Sequence, residues 1–561
     1  MLALAVAALA PCAAWAQSSV DAYNLSQSEL RGTARFMSMG GAFTALGGDL
    51  SSLTQNPAGI GIYRGSDIGL TVDINMMSSK SSEIPGGMSW NRTHVDVNNF
   101  GYVGTFNIND NVIKSFSWGV SYNRLKSFER QFRGTGINLE TSLSNYIALC
   151  TDGTKYNDLL FDDSKKYNPY IDSDINWIKI LGANAGIINP VVGTQTGPDG
   201  KPVGYLSDIY NGLFQQPVMD GNTMTVAPTT GTADFVVRER GYVDQYNIDF
   251  GGNLSNTVFW GLGIGITDIN FEQGAYYAEN LTGANVPRKE PIDGITEGNC
   301  TWTLDNWKKM SGTGVNVSLG VILKPINEFR IGLAVHTPTW YSLSTQYDAS
   351  ATMNATYAVP QTEYDGTVST GFKGNDHTEY ADYSWNLRSP WRLMVGAAGV
   401  IGGRGIISVD YEYQAYNKMK TSDSYGDLDD YNDLINSDFK ASNTVRFGAE
   451  FRVTPQLSLR AGYAFTSSNV QNDIKENKYE VITVGCNPAY SLNNNVNYIT
   501  AGIGYRTGGF YADMAFVHRN MTSDYHCFTP FEDYDGIWSN GAQAKITDNS
   551  NQLVFTVGYK F

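Results

Sequence analysis

Gln552-Leu553-Val554-Phe555-Thr556-Val557-Gly558-Tyr559-Lys560-Phe561 is the stretch whose alternation decides the fold. Leu553, Phe555, Val557, Tyr559 and Phe561 share one face, and Gln552, Thr556, Gly558 and Lys560 fall on the other. Side chains of a strand point alternately to its two sides, so this is a strand with a wholly apolar face. A soluble edge strand normally carries charges on its outward face to block pairing with other chains. This face carries none.

The same pattern recurs upstream. In 456–466, Leu457, Leu459, Ala461, Tyr463 and Phe465 alternate with Ser458, Arg460, Gly462 and Thr466. In 406–415, Ile407, Val409, Tyr411 and Tyr413 alternate with Ser408, Asp410, Glu412 and Gln414. In 66–78, Ile68, Leu70, Val72, Ile74 and Met76 alternate with Asp67, Gly69, Thr71, Asp73 and Asn75. Ten further candidates are 99–108, 114–125, 241–253, 258–271, 313–323, 329–342, 389–401, 444–453, 498–506 and 509–519. Charges such as Arg460, Asp410 and Glu412 face lipid only at high cost, so their side is the lumen of a barrel. The reading is an all-β, antiparallel transmembrane β-barrel of about fourteen strands, within the range of single-chain barrels.

The connections give an independent count. Tight turns (109–111, 254–256, 324–327, 402–404, 454–455, 507–508) alternate with long segments (79–98, 126–240, 272–312, 343–388, 416–443, 467–497, 520–551). Outer-membrane barrels have short periplasmic turns and long extracellular loops. That rule places both chain ends on the periplasmic side and the protein in the outer membrane, among lipid and lipopolysaccharide, as a monomer. A terminal Phe561 with Tyr559 two residues earlier fits a signal for the outer-membrane assembly machinery. The segment 126–240 is too long for a plain loop and implies a small extracellular insert, with helices over 145–149 and 175–185.

Composition agrees. The chain has 561 residues with 59 Gly and 34 Tyr, as aromatic girdles and a polar lumen require. Met1–Ala10 is apolar, and Ala14-Trp15-Ala16 offers a small-x-small cleavage site, so 1–16 reads as a signal peptide cut before Gln17. A net charge of −16 argues against nucleic acid, which needs a basic surface. Acidic runs such as 427–433 read as solvated loops. The five histidines, His94, His336, His377, His518 and His526, form no metal-ligand pair and no nucleophile–base constellation. No cofactor, metal or catalytic residue is expected.

The stretch before the first strand carries the most specific signal. Asp49 or Ser51 suits the cap of one helical turn, and Pro57 holds Asn56 extended. Gly40-Gly41 and Gly47-Gly48 permit close packing or positive φ. Together they predict a compact plug over 17–65, ahead of the barrel at 66–561. Gly40-Gly41-Ala42, Asp49-x-Ser51 and Asn56-Pro57-Ala58-Gly59, followed by a first strand, resemble the outer-membrane long-chain fatty acid transporter family of FadL/TodX type. Arg446-Phe447-Gly448-Ala449-Glu450-Phe451-Arg452 and Leu459 to Phe465 extend the resemblance; the insert 126–240 departs from it. The resemblance implies a fourteen-stranded barrel closed by an N-terminal hatch, passive uptake of a hydrophobic small-molecule ligand, and lateral release where the third strand kinks. Gly119 lies in the third strand and suits such a kink, or equally an ordinary small lumen position. The alternative is a barrel of the same kind serving as a secretion-system docking or shuttle protein, or as a surface adhesin through its long insert.

Cys150, Cys300, Cys486 and Cys527 all fall in predicted loops. An oxidising compartment favours two disulfides, with Cys486 to Cys527 and Cys150 to Cys300 the expected pairs.

Overall fold

The computed structural model describes residues 18–108, 110–196, 202–216, 218–220, 223–363, 366–483, 485–533 and 536–561. The signal peptide expected over 1–16 lies outside them. Among the described residues, fourteen strands form one closed antiparallel barrel. In chain order they are β1 (Asp67–Ser82), β2 (Ser89–Asn107), β3 (Ile113–Ser127), β4 (Thr230–Leu254), β5 (Val258–Pro287), β6 (Ile295–Ile326) and β7 (Phe329–His336, continued by Trp340–Thr362). Then follow β8 (Ala381–Arg388 and Arg392–Ile401), β9 (Gly405–Ala415 and Lys420–Ser422), β10 (Ala441–Arg452), β11 (Leu457–Thr466), β12 (Tyr490–Thr507), β13 (Phe510–His526) and β14 (Gln543–Lys560). Each pairs with the next over part or all of its length, and β14 closes on β1 from Lys560 opposite Asp67 to Lys545 opposite Ser82.

Each of the fourteen alternating segments falls on one of these strands. Phe555, Val557, Tyr559 and Phe561 are exposed on the outside of β14, while Gln552, Val554 and Thr556 are buried in the lumen. The same division holds in β9, where Val409 and Tyr411 face out and Asp410 and Glu412 are buried. The tight turns gather at one rim, where Ser66 N–H donates to the Phe561 carbonyl at 2.8 Å and fastens the first strand to the last.

Toward the other rim the strands outrun the alternation. β5 has 30 residues and β6 has 32, far beyond the expected 258–271 and 313–323. Their ladder continues because backbone pairing needs no apolar face. Above the lipid, exposed Asn280, Glu297, Thr301 and Asp305 replace the outward apolar residues, and the hydrophobic signal ends.

After β3 the chain continues as Arg130–Asn138, which pairs with β4, and then folds into a lid over the extended rim. The lid carries helices Leu143–Thr151 and Trp177–Asn184 and a hairpin of Asn189–Thr196 with Pro202–Asn211. Leu143, Ile147, Ile180, Leu181 and Ile188 of the lid pack on Phe235, Tyr277, Trp302, Met353 and Tyr525 of the walls in one continuous core. Buried Glu279 of β5 fixes the lid. It accepts from Leu143 N–H at 2.9 Å, Trp302 Nε1 at 3.0 Å and Tyr277 OH at 2.6 Å, so its buried oxygens have partners from both the lid and the wall.

The expected disulfides are corrected by this core. Cys300 lies within β6, opposite Leu281 and Ala355, and not in a loop. Cys300, Cys486 and Cys527 are buried as thiols among the apolar side chains of the lid core, and Cys150 lies on the lid helix Leu143–Thr151. Burial of small apolar thiols, which behave as core residues, accounts for Cys300, Cys486 and Cys527 without a bridge.

Candidate functional site

Residues 18–65 lie inside the barrel, and most of them are buried. Ser18 caps a helix over Ser19–Ser26, whose Val20, Ala22, Tyr23 and Leu25 pack on lumen residues including Phe271, Tyr341 and Trp385. Tyr23 stacks on Phe439 with ring centroids 4.7 Å apart. Further along, Asp49 caps the short turn Leu50–Ser52: its Oδ1 accepts from Ser51 N–H at 3.0 Å and from Thr33 Oγ1 at 2.7 Å. Ser51 Oγ accepts from Thr33 N–H at 2.6 Å, which joins the two halves of the segment. Asn56 is extended (φ −139°) and caps the turn Pro57–Ile62, its Oδ1 accepting from Ala58 N–H at 3.0 Å and its Nδ2 donating to Thr44 O at 2.6 Å. Gly40, Gly41, Gly47 and Gly48 all have positive φ. Gly47 crosses Gly59 so closely that a Cβ on Gly47 would lie 2.7 Å from Gly59 Cα.

The walls are shaped to this inner segment by a ring of glycines that sequence reasoning did not single out. A Cβ on Gly261 would lie 2.2 Å from the Pro57 carbonyl carbon, on Gly320 1.9 Å from Asn56 Oδ1, on Gly332 2.0 Å from Thr44 O, and on Gly462 2.3 Å from Gly40 N. The available signal is a lumen-facing glycine near the middle of one predicted strand after another. Polar side chains of the wall complete the fit. Asp410 accepts from Thr44 N–H at 2.7 Å and Gln55 Nε2 at 2.9 Å; Arg330 donates to Leu46 O at 3.0 Å. Arg35 pairs with Glu450 at 3.0 Å, and Arg460 joins Glu450 (2.7 Å) to Asp513 (2.6 Å).

Among the described residues the wall lacks a ladder between the upper part of β2 and β3. β2 pairs with β3 only from Asn99 opposite Asn123 down to Asn107 opposite Ser115. Above that level β3 stays with β4, and among the described residues no ladder joins Ser89–Asn98 to the next strand. Exposed Val95 and Val97 on the outer side of β2 place the lower end of this seam in the apolar belt, while exposed Ser89, Asn91 and Thr93 carry its upper part beyond the belt. Gly119 is not the point of departure: it pairs regularly with Val103 and Asp249, and a Cβ there would touch Ile60 of the inner segment at 3.2 Å. The irregularities of β3 fall instead between Ile113 and Ser115 and between Arg124 and Lys126.

Side chains and the inner segment close the seam. Asp96 of β2 receives Arg124 of β3 at 2.7 Å, and Arg92 reaches Glu129 at 2.6 Å. From inside, Glu29 N–H donates to the Leu125 carbonyl on the free edge of β3 at 2.9 Å. Two residues later, Arg31 reaches β2, with Nη1 3.2 Å from Asp96 Oδ2 and 2.9 Å from Asn98 Oδ1. Arg31 Nε also holds Glu29 at 3.0 Å, and Arg519 lies 3.3 Å from the same carboxylate. Burial alone would raise the Glu29 carboxyl, but Arg519 and Arg31 outweigh it and hold the group below the usual carboxylate range. Glu29 and Arg31 gave no sequence signal, because their partners are contributed by remote strands.

A cavity of about 120 Å³ adjoins the seam. It runs from Glu29, Arg31 and Arg124 past Gln55 to Arg446 and Arg519, and its lining is mixed, with Leu30, Phe36 and Tyr498 among the charged groups. It meets the inner segment at Thr54 and Gln55, next to Asn56-Pro57-Ala58. Among the described residues no cluster of His, Cys, Asp and Glu suited to a metal is present, and no helix is long and apolar enough to cross a membrane.

A family model matches part of the barrel: residues 381–510 fit the OmpA-like transmembrane domain. The chain is an outer-membrane β-barrel. Among solved structures, the barrel is similar to a Pseudomonas aeruginosa FadL homologue, at 12% identity over 95% of this chain and 99% of that one, with a TM-score of 0.49. It is similar also to the Pseudomonas putida toluene transporter TodX (12% identity, 96% and 100% coverage, TM-score 0.42). The Ralstonia pickettii toluene transporter TbuX gives 11% identity, 95% and 99% coverage and a TM-score of 0.40. Among curated protein sequences none matches the barrel.

Proposed function

We propose that the barrel is a channel for passive uptake of hydrophobic small molecules, long-chain fatty acids among them, with residues 18–65 acting as its hatch. The observation that carries this reading is the seam between β2 and β3 beside an internal cavity. A polar solute gains nothing from a gap in the wall at bilayer depth. A hydrophobic one does, because it passes between lumen and hydrocarbon without exposing apolar surface to water, at ~25 cal/mol per Å² of surface kept dry. The hatch closes that path, so movement of 18–65 is the step that opens it.

The test replaces Asn56-Pro57-Ala58 with Gly-Ser-Gly. The barrel is expected to assemble, since these residues take no part in the wall ladder, and uptake of a labelled fatty acid into cells is expected to fall. Unchanged uptake would sink the hatch assignment.

A second reading, docking or adhesion at the cell surface, is favoured by one observation. The lid hairpin exposes Val203, Tyr205 and Ile209, at 45%, 43% and 52%. Removal of this hairpin that leaves uptake intact but abolishes attachment to a surface would decide for it.

A further inference from the structure

We infer that the periplasmic mouth of the barrel is a docking surface for a polycarboxylate, the peptidoglycan that lies beneath the outer membrane, held by charge. The inference goes beyond uptake and stands on the rim of tight turns.

Charge is the first argument. The chain carries −16 overall, yet this rim is basic. Arg64 ends the inner segment at the mouth, and Lys324, Arg330, Arg404, Arg452 and Arg506 come from the wall around it. The carboxylates nearby are held by other cations: Glu450 by Arg35 and Arg460, Asp513 by Arg460, and Asp67 by Lys560 at 3.5 Å. That leaves the six without an ion pair among the described residues. In the tight turns Asp110 is engaged by Val112 N–H at 2.7 Å and Ile113 N–H at 3.0 Å, and Glu328 is the other acid there. Arg452 N–H donates to the Arg404 carbonyl at 2.9 Å, so two exposed arginines adjoin. Nε of Arg330 is buried with no hydrogen-bond partner among the described residues. Like charges gathered in this way repel until an anion joins them, and the planar fork of arginine pairs with a carboxylate through two bonds.

Direction is the second argument. Phe329, Phe451 and Tyr505 are exposed on the outer face of the wall. Alternation therefore turns their neighbours Arg330, Arg452 and Arg506 away from lipid and toward the mouth. The third argument is what the mouth lacks. A protein interface is built around apolar or aromatic anchors, with charge at its edge. Here Ile60 and Tyr63 of the inner segment are buried and Ile62 is half-buried, so the ring of cations encloses no exposed apolar centre. Such a surface suits a polymer that offers carboxylates at every repeat.

The experiment sediments purified sacculi with the full barrel in neutral detergent and measures the fraction that pellets. The barrel is expected to pellet in about 0.1 M salt and to be released in about 1 M, where the screening length falls from ~10 Å to ~3 Å. Arg404→Gln combined with Arg452→Gln is expected to weaken the association about tenfold, as the loss of two exposed charge contacts implies. If that double variant does not assemble, Arg506→Gln takes its place. Lys165→Gln, a change in the lid at a side chain 79% exposed, is the control and should pellet as the parent does. Sacculi whose carboxylates have been converted to amides are expected to leave the barrel in solution. Pelleting with amidated sacculi, or pelleting that survives about 1 M salt, overturns recognition by charge. Equal capture by phosphatidylglycerol vesicles and by sacculi at matched anion concentration shows a lipid-surface contact and overturns the polymer as partner. Pelleting of the arginine variants at the parent's level overturns the rim as the site.

Discussion

Arg31 and Asn98 are 67 residues apart in sequence, yet Nη1 of Arg31 donates to Oδ1 of Asn98 at 2.9 Å inside the barrel. Asn98 is the residue that the β1–β2 register skips: Thr71 faces Asn99 and Val72 faces Val97. A β-bulge of this kind turns a side chain out of the alternation, and here it turns an amide into the lumen. The inner segment therefore grips β2 at its irregular point and β3 at the free carbonyl of Leu125. One short stretch, Glu29 to Arg31, does for the upper wall what a ladder does for the lower.

Arg31→Ala is expected to weaken that closure. The guanidinium is buried and lies within 3.9 Å of Asp73, within 3.2 Å of Asp96 and within 3.0 Å of Glu29. Removing one partner from a buried charge cluster typically costs about 3–5 kcal/mol, because the carboxylates stay behind unpaired. The variant should still assemble through its intact ladders. Its heat-modifiable band should convert at a lower temperature than that of the parent, and cells carrying it should take up more of a lipophilic dye.

Gly320→Ala is expected to loosen the inner segment while sparing the wall. The new Cβ would fall 1.9 Å from Asn56 Oδ1, so the cap on Pro57–Ile62 has to move. Overpacking of this kind costs about 1–3 kcal/mol. Limited proteolysis should then cut within 18–65 at rates at which the parent is untouched. Gly274→Ala, where nothing lies within 4 Å, is the control and should behave as the parent does.

Acid is expected to open the seam. The Glu29 carboxyl is held below its ordinary value of 4.5, burial opposing and Arg519 and Arg31 prevailing. A carboxylate with a depressed folded value stabilises the closed form above its unfolded value, and that contribution is lost as pH falls through the folded one. Dye uptake should therefore rise as the medium drops below about pH 4.5, reversibly. In Glu29→Gln the acid-dependent rise should be smaller; a rise identical to the parent's would remove Glu29 from the seam's pH response.

The thiols are expected to stay reduced and hidden. Burial pushes the Cys486 and Cys527 thiols well above the usual thiol range, so little of the reactive thiolate forms. A maleimide should leave Cys300, Cys486 and Cys527 unmodified in the folded barrel and modify all three after heating in detergent. Mapping without reductant should show no peptide bridged between Cys486 and Cys527. A bridged peptide would restore the pairing that the compartment suggests.

The sequence determined every strand that crosses the lipid, because there the solvent imposes period two: Phe555, Val557 and Tyr559 must meet hydrocarbon, and Thr556 and Gln552 must not. It determined as well the local turns at Asp49 and Asn56, since a cap needs only its next two or three residues. Above the membrane that constraint lapses, so the long upper halves of β5 and β6, with Cys300 inside one of them, were legible only as loops. The seam was decided by tertiary structure alone. Nothing in Glu29, Arg31, Asp96 or Asn98 marks them as partners, and Gly119 drew attention as a hinge although its ladder is unbroken. Buried ion pairs and strand departures are settled by which chain segments closure of the barrel brings together, and that information belongs to no local stretch of sequence.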